Sequence, residues 1–156
     1  MNCVLGIRAE PSAFHWAIVT GTPDQPVLHA PGTESSPKTF SEAESLAWIR
    51  QRVLYILDTY KPVRVAVRYP ERNAMGANTD SAKARCRVEG VVMEAASSKN
   101  VEVVTGTLAT FGKHSGDHSL KDDLDCEGFR GLDWSEYKTK GLREAIRVAA
   151  SLLPAH

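Results

Sequence analysis

Two groups of side chains in this sequence have types and spacing that could do chemistry. The first is His114, His118, Asp122, Asp123 and Cys126. Imidazole, carboxylate and thiolate are zinc ligands, and the spacing His-x3-His occurs at zinc sites. A structural zinc site ordinarily brings cysteine pairs or further histidines, which are missing here. In a polar, glycine-containing stretch the expected reading is therefore solvated side chains and no metal. The second group is basic: Arg72, Lys83, Arg85 and Arg87. Cations placed on phosphates release counterions, which supplies most of the sequence-independent affinity for nucleic acid. Alternate residues on a helix do not share one face, so the plain alternative for this run is a solvated helix surface. No Ser-His-Asp arrangement and no glycine-rich phosphate loop stands out. His15 and Trp16 are adjacent in an apolar run, where one would face the core and the other solvent.

The elements that would position these residues follow from hydrophobic period and turn chemistry. Cys3 to Arg8 and Ala13 to Thr20 are short apolar runs joined by Glu10-Pro11-Ser12, which predicts an antiparallel hairpin. Val27 to Ala30 is a candidate third strand, and residues 31–38 read as a polar connector. Ser41 and Glu44 have the spacing of a capping box. Leu46, Ile49, Val53, Ile56 and Leu57 then recur at helical intervals until Lys61-Pro62. Val63 to Val67 is a β-branched strand. Tyr69 to Thr79 is a loop, and a second helix runs from Asp80 or Ser81 to about Lys99. Val101 to Val104 is a strand, Thr107 to Lys113 a short helix, 114–135 a mobile loop without clear period, and about Glu136 to Leu153 a last helix. Strands that begin antiparallel and continue through crossover helices imply an α/β fold with a mixed sheet and helices on its faces.

Composition bounds the function classes. The 156 residues suit one domain, 1–156, with 42% hydrophobic and 24% charged residues. Nineteen basic against nineteen acidic residues leave zero formal net charge, so any nucleic-acid footprint must be local. The apolar run after Asn2 is too short for a signal peptide or a membrane span. Cys3, Cys86 and Cys126 are an odd, widely spaced set without a CxxC pair, which predicts reduced thiols in a cytoplasm and no membrane association.

The element order and three motifs carry a resemblance. Leu5-Gly6-Ile7-Arg8 resembles the first-strand motif Leu-Gly-Ile-Asp of the RuvC-type Holliday-junction resolvases, a branch of the RNase H-like superfamily. Asn78-Thr79-Asp80-Ser81-Ala82, followed by Gly90-Val91, resembles the loop and helix after that family's fourth strand, and Val63 to Val67 stands where its glutamate-bearing strand ends. The chain is also similar to a small group of bacterial proteins with the pattern Gly-Ile-acid … Val-Ile-Arg, including the arginine at position 68. The resemblance implies an RNase H-like sheet with antiparallel first strands, then parallel strands, and helices on both faces. It implies two-metal cleavage of phosphodiesters by Mg2+ or Mn2+ held on three or four carboxylates. It also implies DNA more than RNA as partner, and a possible homodimer.

At the family's first two ligand positions this chain has Arg8 and Arg68, and arginine cannot ligate a divalent cation. Two guanidinium groups there would form an anion pocket, unless nearby acids neutralise each one. Another register keeps the carboxylates: Glu10 faces the same side as Arg8 on a strand, and Glu71 stands seven residues before Asn78, the family's spacing. Asp122, Asp123, Asp125, Asp133 and Glu136 are then candidates for the third corner. Three readings result. The first is a catalytically degenerate RuvC-like protein, without metal cofactor, that binds nucleic acid or a protein partner through Arg8, Arg68, Arg72, Lys83, Arg85 and Arg87. The second is an active Mg2+- or Mn2+-dependent endonuclease using Glu10, Glu71 and Asp133 or Glu136. The third is a purely structural interaction subunit.

Overall fold

A computed structural model describes residues 2–71, 79–115, 120–137 and 139–155. Three strands open the chain: β1 (Val4–Glu10), β2 (Ala13–Gly21) and β3 (Pro26–Ser35). They are followed by α1 (Glu42–Tyr60), β4 (Arg64–Arg68), α2 (Asp80–Ser98) and β5 (Glu102–Gly106). The five strands form one sheet in the order β3-β2-β1-β4-β5. β1, β2 and β3 pair antiparallel, whereas β1, β4 and β5 run parallel. This is the mixed sheet anticipated from the element order.

Two apolar layers sandwich the sheet, and the strand period of two divides the residues between them. Leu5, Ile7 and Ala9 of β1 pack with Ile49, Val53, Ile56, Val88, Val92 and Ala95 of α1 and α2. Val4 of β1, Ala17 and Val19 of β2, and Ala66 of β4 face the other way. They meet the last helix, α5 (Lys140–Ser151), through Ala145, Ile146, Val148 and Ala149. Helices therefore cover both faces, as expected.

Local chemistry sets the helix ends. Ser41 accepts from the Glu44 amide and the Glu44 side chain accepts from the Ser41 amide, the reciprocal capping box. Lys61 ends α1 in the left-handed region (φ 50), where its amide donates to the Leu57 carbonyl. Thr79 caps α2 by accepting from the Ala82 amide at 3.1 Å. Cys3 is buried, Cys86 and Cys126 are exposed, and all three are free thiols. Among the described residues no helix is long and apolar enough to cross a membrane.

Three sequence expectations are corrected. β3 continues to Ser35 through the stretch read as a connector; its alternate residues are half-buried, and Gly32 leaves room for the Trp16 indole, which a Cβ would meet at 2.5 Å. The last helix opens at Lys140, and Trp134–Glu136 is a separate 3-10 turn whose start is capped by Asp133 accepting from the Ser135 amide at 2.8 Å. The segment 114–135, read as a loop, holds short elements in its described part. These are the end of α3 (Leu108–Ser115), a four-residue α4 (Lys121–Leu124), and a hairpin of β6 (Gly128–Phe129) with β7 (Leu132–Asp133). Their small size leaves no period to detect.

Two arginines of α5 hold this segment in place. Arg143 donates to the carbonyls of Leu124, Trp134 and Tyr137, and Arg147 donates to Asp123 at 2.8 Å while lying 3.9 Å above the Phe129 ring. The segment thereby covers the outer side of α5, which is why every residue from Glu144 to Ser151 is buried.

Candidate functional site

The parallel strands β1, β4 and β5 all end at one edge of the sheet, and in open α/β sheets the crevice outside such carboxyl ends is where ligands bind. Arg8 and Arg68 are direct partners in the β1–β4 register, and His15 of β2 stands opposite Arg8 on the other side. All three share the α5 face, because they fall in phase with Gly6, Ala17 and Ala66. The row His15–Arg8–Arg68 is thus imposed by register.

What joins the two arginines is a residue the sequence reading did not single out. Glu144 of α5 has both carboxylate oxygens on guanidinium groups: Arg8 Nε donates to Oε2 at 2.6 Å, and Arg68 Nη2 lies 3.4 Å from Oε1. Gly6 makes this possible. A Cβ there would sit 1.9 Å from the Ala145 carbonyl oxygen, so only glycine lets α5 approach β1 closely enough to place Glu144 over the strand ends. Gly141 makes the matching approach to His15, whose Cδ2 would lie 2.3 Å from a Cβ. No spacing in the sequence marked it, because its burial at the start of the covered stretch 144–151 depends on how α5 seats against the sheet.

The cluster extends in three directions. Arg8 Nη1 donates to Glu10 Oε1 at 3.1 Å and to the Ala9 carbonyl, and His15 Nε2 lies 3.5 Å from the same Glu10 oxygen. The imidazole's other nitrogen contacts Thr33 Oγ1 at 2.9 Å. The hydrogen bond from His15 is the largest influence holding the Glu10 carboxyl below its ordinary value, opposed by partial burial and helped by the charge of Arg8. Arg68 Nη1 donates to the Tyr69 carbonyl at 2.6 Å, while its Nε is buried without a hydrogen-bond partner. Burial pushes this guanidinium below its ordinary value, and Glu144 pulls it back up. On the other side, Arg85 Nε is 3.3 Å from Glu89 Oε2 and its Nη2 donates to the Arg68 carbonyl at 3.4 Å. Burial raises the Glu89 carboxyl and lowers the Arg85 guanidinium, against their mutual attraction.

The remaining sequence candidates fall elsewhere or outside. Glu71, just past β4, accepts from the Leu108 amide at 3.0 Å and lies 3.9 Å from Arg68 Nη2. Asp133 and Glu136 stay with the hairpin and the 3-10 turn, exposed, and are not brought to the strand ends. Lys83 is exposed, Arg87 pairs with Glu42 of α1 at 2.8 Å, and only Arg85 of that run reaches the cluster. Arg72 and His118 lie outside the described residues. Among the described residues no group of three His, Cys, Asp or Glu side chains is placed to share a metal ion. The donor chemistry at the strand ends does not fit a divalent cation as arranged, since guanidinium groups already take both oxygens of Glu144.

No protein-family model matches this chain, and no curated protein matches it. Solved structures do. RuvC of Thermus thermophilus superposes with a TM-score of 0.77 at 20% identity, over 96% of this chain and 92% of that one. The Thermus thermophilus RuvC in complex with a Holliday junction substrate gives 0.75 at 20%, over 97% and 92%. The yeast mitochondrial Holliday junction resolvase gives 0.63 at 10%, over 96% and 77%. The fold is RNase H-like, of the RuvC type.

Proposed function

We propose that this protein is a catalytically degenerate RuvC-like module that binds DNA without cutting it. The observation that carries the reading is the Arg8–Glu144–Arg68 cluster: two guanidinium groups occupy the strand-end positions where the resembled family keeps carboxylates, and they neutralise the acid that α5 brings there. Cations at that point suit a phosphate backbone and repel Mg2+ or Mn2+. The solved complex of a structural neighbour with a Holliday junction substrate supports branched DNA as the partner. Lys83, Arg85 and Arg87 would steady the backbone, with Arg85 acting through the cluster and Arg87 after release from Glu42; Arg72, outside the described residues, completes the proposed basic set.

The test incubates the protein with a four-way junction, duplex, single-stranded DNA and an RNA–DNA hybrid, with Mg2+ or Mn2+. Binding that weakens with salt and leaves every strand intact is the expected result. Cleavage that stops with a chelator and disappears in Glu71→Ala would overturn the reading, making Glu71 a metal ligand and the protein a working endonuclease. Neither binding nor cleavage, with a protein captured reproducibly at fixed stoichiometry, would point to the scaffold role.

A further inference from the structure

Beside the arginine cluster the surface opens into a cavity of ≈ 390 Å3 whose walls include Arg68, Glu71, Leu108, Lys121, Lys140 and Glu144. Helix α3 starts there, and its first amide, on Leu108, points at the Glu71 carboxylate (3.0 Å). The amides of a helix's first turn have no partner within the helix and carry the positive end of its dipole, which favours an anion. A second, independent feature points the same way. The Arg68 side chain lines this cavity, is only 9% exposed, and carries an Nε without any hydrogen-bond partner. Buried donors left unmet are uncommon in folded proteins and call for a ligand or a compensating group. Lys121 enters from α4 and Lys140 from the start of α5, the latter 3.7 Å from exposed Asp125, a pair weak enough to exchange.

Glu71 is the present occupant of this anion site, and a loosely held one. Its side chain is about half-exposed (48%), and it approaches Arg68 Nη2 no closer than 3.9 Å. We propose that the cavity binds a phosphate group, which displaces the Glu71 carboxylate from the Leu108 amide and from Arg68. With Glu71 swung out, the cavity wall keeps Arg68, Lys121 and Lys140 beside Glu144, a balance that favours a phosphomonoester dianion over a phosphodiester. The terminal phosphate of a DNA strand has that charge. The strand-end assignment rests on the DNA-binding reading; the phosphate site itself does not.

The experiment has two arms at one low, fixed ionic strength. The first titrates inorganic phosphate and follows the Leu108 amide by NMR in wild type, Glu71→Ala, and Lys121→Ala/Lys140→Ala. The second measures binding of short oligonucleotides with a phosphate or a hydroxyl at either end. A shift of the Leu108 amide is expected, with phosphate affinity rising about fivefold in Glu71→Ala, the scale of one charge at a helix start. The double lysine variant should lose at least about tenfold and erase the preference for phosphorylated ends. Phosphate affinity unchanged or weakened in Glu71→Ala would overturn the displacement. Phosphate binding with no preference for phosphorylated ends would overturn the strand-end assignment. No response to phosphate at all, beside intact salt-sensitive DNA binding, would sink this site and leave the DNA-binding reading standing.

Discussion

Glu144 is the residue on which the strand-end cluster turns. Its carboxylate separates a buried and a partly buried cation, so removing its charge leaves Arg8 only Glu10 and Arg68 only the distant Glu71, with the two guanidinium groups repelling each other. Breaking a buried pair costs on the order of 3–5 kcal/mol, and Glu144→Gln is expected to lower the urea midpoint accordingly. Adding Arg8→Met should restore part of that loss, and strictly additive effects in the double-mutant cycle would show that the pair is not coupled. A second consequence concerns acid. Glu10 titrates lower in the folded chain than in the unfolded one, chiefly through His15. Its contribution is therefore present above the unfolded carboxylate range and is lost as pH falls through the folded value. His15→Phe keeps a ring against Gly141 and removes the donor, so the Glu10 carboxyl should titrate higher by NMR; an unmoved titration would refute the His15 link. Arg8 and Arg68 were legible in the sequence because strand motifs fix which residue ends each strand. Glu144 was not, because its role depends on how deeply a helix seats against the sheet, and no spacing within α5 reports that.

The seat itself belongs to the scale of elements. Gly6 on β1 admits the Ala145 carbonyl so closely that no side chain fits between the strand and α5. Gly6→Ala must push the helix outward, costing about 3 kcal/mol as overpacking at a site with no slack. Because Glu144 rides on the displaced turn, the variant should also loosen the arginine cluster, visible as faster exchange of the Arg8 and Arg68 side-chain protons at a pH where the wild type holds them. Full stability in Gly6→Ala would show that α5 is free to shift and that the glycine is not what positions the site. At this scale the sequence was legible wherever an element is long and periodic. Long periodic elements (α1, α2 and the β1–β2 hairpin) declared themselves, as did the antiparallel-then-parallel order. The second half of β3 and the cover over α5 did not. In β3, Pro31, Gly32 and alternating polar residues read as a connector until a partner strand is present. The cover is held by Arg143 and Arg147 through carbonyls and ring faces, contacts that leave no hydrophobic period.

For the molecule as a whole, zero formal net charge limits how it can hold nucleic acid. No long-range field draws the chain toward DNA, so affinity must come from a few cations at one edge, and the salt dependence counts them. Around the strand ends much of the basic charge is spent internally. Arg8 and Arg68 share Glu144, Arg85 faces Glu89, and Arg87 faces Glu42. Lys121 and Lys140, on the cavity wall beside the cluster, and Lys83, in the first turn of α2, are solvent-exposed. If these three and Arg68 meet phosphates, the slope of log Kobs against log salt is about −3.6, and affinity falls on the order of 100-fold between about 50 and 200 mM salt. Lys140→Ala and Arg68→Ala should each reduce the slope by about one, uniformly across sequences. A slope near zero with tight binding would mean that the contacts are not to phosphates. A slope steeper than about −6 would mean that the internal ion pairs open on binding, Arg8 and Arg85 included. In that case Glu144→Gln and Glu89→Gln, which remove the competing carboxylates, should tighten binding at moderate salt rather than weaken it, and junction titrations across four salt concentrations separate the two regimes.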